Sequence, residues 1–297
     1  MQLVSDKVSF STLLRSKVAD YAAFFKLRLA SLVVFSAIMG YLIAAESISW
    51  LEILFLSIGG FLVTGSSNGF NQIIERDLDK LMKRTQERPL VTKRMSVNEG
   101  YWVAAVSGFV GITILWVFLN PLSGILGSLA LFLYVAVYTP LKQITSWAVF
   151  VGAFPGAVPP LLGYVAYNGE FGLEPGLLFA LQFMWQFPHF WAIAWKANED
   201  YANAGFKLLP SKGGKDLTSA FMILLYCLFM ILVSLLPTFF GFVGNFSLIA
   251  FLIAGLLMLW PSIKLFQTKS DQAATKVMFA SFIYVPIVLL VWYFDKI

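Results

Sequence analysis

Apolar runs of about 20 residues, each closed by a polar break, recur from residue 29 almost to the end of the chain. A hydrocarbon core about 30 Å thick is crossed by a helix of about 20 residues. Runs of that length fall near 29–46, 51–70, 100–119, 122–139, 146–167, 174–195, 217–237, 246–263 and 277–294. They predict an all-α polytopic membrane protein with nine transmembrane helices. The breaks are unequal: two long polar loops, roughly 75–99 and 196–216, follow the second and sixth runs, whereas most connections on the other side are short. Four runs separate those loops, which suggests two related four-helix units and an extra ninth helix, although side-chain identity between the halves is thin. Between Gly152 and Gly163 the fifth run carries Pro155, Pro159, Pro160 and a third glycine, Gly156. Such a span is expected to break where its backbone lines a cavity or packs against protein, because lipid cannot satisfy freed carbonyls.

Composition agrees with a membrane protein. Of 297 residues, 59% are hydrophobic and 12% charged, with a mean hydropathy of +0.79, which excludes a soluble globular domain. The pattern divides into a cytoplasmic amino-terminal segment, 1–28, and one transmembrane domain, 29–297. The first run follows a polar segment containing Asp6 and Asp20, so a cleavable signal is not expected and the first helix doubles as the targeting element. With alternate loops assigned to one side, the lysines and arginines from Lys7 to Lys276 share that side and only Lys296 is opposite. This asymmetry places the amino terminus and both long loops in the cytoplasm of a bacterial inner membrane. The net charge of +5 is then a matter of topology, and no nucleic-acid partner is expected. The single cysteine, Cys227, lies in an apolar run and supports neither a disulfide framework nor a thiolate metal site.

Chemistry concentrates where the second run ends, at Asn71-Gln-Ile-Ile-Glu75-Arg-Asp-Leu-Asp79. On a continuing helix Asn71, Glu75 and Asp79 share a face within about 80°, spaced about 6 Å apart along the axis. Crowded carboxylates repel unless a cation lies between them, and Mg²⁺ held by one or two carboxylates plus substrate phosphates is a common solution. Lys83, Arg84 and Arg88 would then hold phosphate oxygens. The alternative is a solvated loop whose acids neutralise neighbouring cations. Asn71 ends a span whose Gly65-Ser66-Ser67-Asn68-Gly69 stretch is polar at membrane depth, and that favours a site. Asp77 points about 160° from Asp79 and reads as a surface acid.

A second cluster, Trp185-Gln-Phe-Pro188-His189-Phe190-Trp191, leads to Lys196, Glu199, Asp200 and Tyr201. Lys196 and Asp200, one turn apart, form either an ordinary helix-end ion pair or a second contribution to the same site, Asp200 completing the metal ligands and Lys196 adding charge for the anion. His189 is the only histidine. Its tryptophan and phenylalanine neighbours suit a flat aromatic acceptor or a metalloporphyrin, and a hydrogen-bonded intramembrane residue is the alternative. Lys142, in Tyr138-Thr-Pro140-Leu-Lys142, is either a topology signal or a point charge for phosphate.

Residues 71–90, 138–142 with Pro159-Pro160, and 185–210 closely resemble the UbiA-like intramembrane prenyltransferases and, within them, the haem-directed branch. The Asn-x-x-x-acid-x-x-x-Asp pattern marks the superfamily. Arg84-Thr85 with Arg88-Pro89-Leu90, Pro188-His189-Phe190, and Asp200-Tyr201 with Ala204-Gly205 are much more specific to the haem branch, and the resemblance runs over most of the chain, from the first span through the ninth. Two departures stand out. Glu75 replaces the middle aspartate common elsewhere in the superfamily, and Lys196 stands where many quinone-directed relatives begin a second acidic motif.

The resemblance implies nine helices around a central cavity open toward lipid, with the diphosphate site at the cytoplasmic rim. It implies Mg²⁺-dependent transfer of a farnesyl group from farnesyl diphosphate to a vinyl group of haem b, giving haem O for haem-copper oxidases. Asn71, Glu75, Asp79 and Asp200 would hold the metal and act in catalysis, while Lys83, Arg84, Arg88, Lys142 and Lys196 would bind the diphosphate. Haem would be held by His189, Trp185 and Trp191, with His189 as axial ligand because the chain offers no second histidine. Membrane lipid surrounds such an enzyme, and a haem A synthase or oxidase assembly factor is admitted as a partner. The alternatives are a quinone-type acceptor, which the lone His189 and Lys196 disfavour, and a transporter. A carrier usually places its ionisable residues near the midplane, whereas these gather at the rim.

Overall fold

Polar side chains at the breaks cap the starts of five helices among the described residues. The computed structural model describes residues 10–297, so Asp6 and Lys7 lie outside the described residues. Helix α1 (Phe10–Phe24) passes to α2 (Leu27–Ala44) through Lys26, which adopts the left-handed conformation with φ 51° and ψ 57°. Ser49 starts α3 (Trp50–Ile74) by accepting the Glu52 N–H, and the chain continues through the short α4 (Arg76–Asp79). A reciprocal capping box between Ser96 and Glu99 opens α5 (Val97–Phe118). Asn120 caps α6 (Pro121–Phe132), whose first residue is a proline and so gives up no helical hydrogen bond. A π-helical turn, Leu133–Tyr138, joins α6 to α7 (Thr139–Ile144). Then follow α8 (Ala148–Asn168), α9 (Leu173–Lys196), α10 (Asn198–Asn203), α11 (Leu217–Phe239), α12 (Asn245–Thr268) and α13 (Asp271–Phe294). Asp216 and Ser270 cap α11 and α13.

Among the described residues eight segments are long and apolar enough to cross a membrane, and the chain is a multi-pass membrane protein. The expected count of nine apolar spans is therefore one too high. The sixth run does fold as a 24-residue helix, α9, but Gln182, Gln186, His189 and Lys196 make it less apolar than the others. Helix ends also differ from the apolar runs, since α3 extends to Ile74 and α13 starts six residues before residue 277, where Ser270 supplies a cap.

Helix α8 organises the bundle. Within its most apolar window 72% of residues are buried, against 28–39% for the other spans. It packs directly against α2, α9 and α6, and its first half belongs to a core that also includes residues of α11, α12 and α13 while its second half belongs to one that includes residues of α3 and α5. The expected break at the prolines does not occur, and α8 is continuous. Protein replaces lipid around its backbone: Gln186 Nε2 donates to Ala153 O (2.8 Å) and Asn120 Nδ2 to Val165 O (2.8 Å). Helix α2 approaches so closely that a Cβ on Gly40 would strike the Pro160 carbonyl and one on Gly163 the Ala37 carbonyl, the small-residue contact by which helices associate in lipid. At the end remote from the long loops, Lys296 Nζ donates to the carbonyls of Leu42 (3.0 Å), Ile43 (3.1 Å) and Ala45 (2.7 Å), joining the chain's last turn to the end of α2. A cation there suits the negative end of the helix dipole.

Candidate active site

The last turn of α3 carries Asn71, and Glu75 and Asp79 follow at the junction with α4. Backbone bonds from Glu75 N to Asn71 O (2.9 Å) and from Asp79 N to Glu75 O (2.8 Å) carry the helical ladder through that junction, so the three side chains keep a common face. All three are buried, Asp79 to 1% exposure. Burying a carboxylate costs several kcal/mol unless it is paired. Lys142 pairs with Glu75, and Arg88 Nη1 donates to Asp79 Oδ2 at 2.5 Å. Asp79 Oδ1 is buried without a partner. Burial raises the Asp79 carboxyl above its ordinary pKa, with Arg88 opposing the shift. Asp77 is exposed and paired with Arg76 (3.0 Å) and Lys80 (2.6 Å), as a surface acid should be.

The π turn places the opposite wall. Asn71 Nδ2 donates to Thr139 Oγ1 (3.2 Å), and that hydroxyl donates to Tyr134 O (2.8 Å). Lys142, one turn further, meets Glu75 while its ammonium lies 5.0 Å from the Tyr138 ring centre and 5.2 Å from that of Phe206. Both rings offer a negative face to the cation.

The two long loops are tied together over this mouth. The Asp200 carboxylate accepts the backbone N–H groups of Lys83 and Arg84, both at 3.3 Å. Arg84 Nη2 donates to the Tyr201 hydroxyl (3.2 Å), and Lys207 N–H donates to Lys142 O (2.9 Å). Asp200 is engaged by backbone, and among the described residues no three His, Cys, Asp or Glu side chains converge to hold a metal ion. Lys196 is exposed and forms no ion pair among the described residues, so its expected place beside the acids is not seen; the Lys83 side chain is exposed as well.

One site residue escaped the sequence reading. Asn68 Nδ2 donates to Phe25 O (3.2 Å) and Gln72 Nε2 to Phe24 O (2.6 Å), capturing carbonyls left orphaned where α1 ends. Part of the polar stretch in α3 thus holds the α1–α2 elbow. Lys26, at that elbow, feels repulsion from Arg88, Lys142 and Arg84 and attraction from Glu75. Burial first, then Arg88 and Lys142, push its ammonium down to about 7. Arg84, Arg88 and Lys142, joined by Lys26 once it is protonated, outnumber the two carboxylates of Glu75 and Asp79, a surplus that suits a polyanion. In the sequence Lys26 reads only as one more basic residue flanking the first span.

His189 lies elsewhere, at the seam between α9 and α13. Its Nδ1 is 2.7 Å from Ser281 Oγ, and its ring stacks on Trp185 with centroids 4.4 Å apart and planes 17° from parallel. Phe282 (5.0 Å) and Phe190 (5.3 Å) meet the ring at steep angles. Trp191 does not join this group; it packs on Phe187 (5.4 Å) and Tyr226 (4.9 Å) at the α9–α11 contact, because two residues along a helix turn a side chain by about 160°.

A helical membrane bundle with buried acids set among cations at one end has the features of an intramembrane enzyme. The chain belongs to the UbiA prenyltransferase family, whose signature matches residues 33–284. It is 46% identical over 286 residues to a protoheme IX farnesyltransferase of Christiangramia forsetii, covering 95% of this chain and 94% of that protein. Identity to the protoheme IX farnesyltransferase of Flavobacterium psychrophilum is 44% over 291 residues, with 95% and 96% covered. Among solved structures the fold is similar to that of digeranylgeranylglyceryl phosphate synthase, with a TM-score of 0.78, 21% identity, and 94% of this chain and 98% of that one covered. It is also similar to a UbiA homologue from Archaeoglobus fulgidus bound to GPP and Mg²⁺, with a TM-score of 0.67, 13% identity, and 92% and 99% covered.

Proposed function

We propose that this chain transfers the farnesyl group of farnesyl diphosphate to a vinyl group of haem b, giving haem O, at a mouth that faces the bacterial cytoplasm. The observation that carries the reading is the buried pair Glu75 and Asp79 amid Lys26, Arg84, Arg88 and Lys142. The high identity to protoheme IX farnesyltransferases supports the choice of acceptor and prenyl chain.

Asn71, Glu75 and Asp79 fit Mg²⁺. They offer hard oxygen donors, the Asp79 Oδ1 atom is buried without a partner, and Mg²⁺ is commonly held by one or two carboxylates together with substrate phosphates. Bound there, the ion would neutralise charge on the diphosphate. Arg88, Lys142, Lys26 and Arg84 donate to diphosphate oxygens and favour its departure. The carbon–oxygen bond breaks with its electron pair left on the diphosphate, and the allylic cation is screened by the faces of Tyr134 and Tyr138, whose centroids are 5.2 Å apart. The vinyl π electrons attack that cation to form the new carbon–carbon bond. Water then captures the positive charge on the haem side and loses a proton, leaving the hydroxyethylfarnesyl group. Asp200 and Tyr201 hold the loop that carries Arg84 and Arg88, and His189, backed by Trp185, ligates the haem iron.

Purified protein incubated with haem b, farnesyl diphosphate and Mg²⁺ is expected to yield haem O by mass spectrometry. No haem O under conditions that support a relative, or prenylation of a quinone precursor instead, overturns the assignment.

A further inference from the structure

Ser281 of α13 is fully buried and touches three groups at once. Its hydroxyl oxygen lies 2.6 Å from Met278 O and 2.7 Å from His189 Nδ1, while its carbonyl accepts the Trp185 indole N–H at 2.8 Å. Two oxygens 2.6 Å apart require a proton between them, and a carbonyl has none to give. The single hydroxyl proton of Ser281 is therefore committed to Met278 O. The short contact with His189 also needs a proton, and only the imidazole can supply it. Nδ1 is the protonated nitrogen, so Nε2 carries the bare lone pair. The same serine fixes the Trp185 ring through its carbonyl, and Trp185 stacks on the imidazole, so one residue sets both the tautomer of His189 and the plane of its neighbour.

We infer that Ser281 is the positioning residue that holds His189 as its Nδ1–H tautomer and presents Nε2 to the iron of the haem substrate, at the α9–α13 seam. This rests on the haem reading above. A ring nitrogen that donates to a fixed acceptor makes the opposite nitrogen a better-oriented and more basic ligand, and loss of such a partner typically costs 10–100-fold in metal affinity. His189 is itself buried at 6% exposure, and the flanking rings of Phe190 and Phe282 are 37% and 42% exposed on the apolar surface, so a flat, lipid-soluble macrocycle from the bilayer would reach the imidazole by displacing them.

The test uses the fact that the chain has one histidine. In full-length protein purified without a histidine tag and labelled with ¹⁵N-histidine, the two ring-nitrogen signals report residue 189 alone. The haem-free protein is expected to show Nδ1 protonated and Nε2 bare. Ser281→Ala shifts the population toward the Nε2–H tautomer, and Ser281→Thr, which keeps the hydroxyl, restores the wild-type pattern. Titration with haem b should show about 10-fold weaker binding to Ser281→Ala, with a lower iron–imidazole stretching frequency, again restored by Ser281→Thr. Wild-type protein protonated on Nε2, or Ser281→Ala with unchanged tautomer and haem affinity, overturns the relay. An unchanged haem spectrum in His189→Ala overturns the ligand assignment separately, because the tautomer result does not depend on haem.

Discussion

The mouth between α3 and α7 and the seam between α9 and α13 both bury polar groups in an apolar protein, by opposite means. At the mouth, carboxylates and cations are paired across elements, Glu75 with Lys142 and Asp79 with Arg88, and one carboxylate oxygen is left bare. At the seam the groups are neutral, and the protons of Ser281, His189 and Trp185 are each assigned to an acceptor. Buried charge is costly unless a partner of opposite sign stays in place, so the mouth is built to exchange partners when an anion arrives. The seam, whose donors all have acceptors and whose one bare atom is His189 Nε2, is built to hold one geometry.

The sharpest way to break this contrast is to neutralise an acid. Asp79→Asn or Glu75→Gln preserves size and is expected to lower kcat by at least about 100-fold, the scale for losing one well-placed electrostatic group. Membrane insertion and haem binding at the seam should remain intact. Turnover within a few-fold of wild type in either variant would return these acids to a purely structural role.

Next in size is the response of Lys26 to pH. Its ammonium is pushed down to about 7 in the free site, first by burial and then by Arg88 and Lys142. A bound diphosphate favours the charged form, so above pH 7 binding must draw in a proton and affinity falls as pH rises, by up to about tenfold per pH unit. Calorimetry in buffers of different ionisation enthalpy should show that uptake, and Lys26→Met should abolish it. Uptake that persists in the variant would assign the proton to another group.

The smallest effect is expected at Asp200, whose carboxylate accepts two backbone N–H bonds at 3.3 Å. Asp200→Asn keeps an acceptor and should cost about 1 kcal/mol in holding the loop. That is a fall in kcat of less than about tenfold by the usual rate conversion. A loss as large as that of Asp79→Asn would place Asp200 among the groups that touch substrate.

Much of this was legible in the chain itself. Spans of about 20 apolar residues are imposed by bilayer thickness, so most helices follow the runs, and a four-residue spacing of Asn71, Glu75 and Asp79 needs only a continuing helix to make a face. What resisted reading depends on contacts between distant segments. Lys26 joins the mouth because Asn68 and Gln72 pin the α1–α2 elbow more than 40 positions away. Asp200 turns to backbone because the loop at residues 83–84 folds beneath it. Trp191 leaves the histidine because the helix through Pro188 keeps its phase, and α8 runs on through its prolines while α2 and α9 pack against it in place of lipid.

The π turn at Leu133–Tyr138 can be viewed as an accident of counting that became architecture. A single added residue turns everything beyond it by about 100° and advances it by about 1.5 Å. Thr139 and Lys142 face Asn71 and Glu75 with that extra residue in place. Which side chains meet the acids is therefore controlled here by insertion and deletion as much as by substitution. A one-codon change upstream of Thr139 would present a different set of residues to the same pocket, leaving the span long enough to cross the membrane.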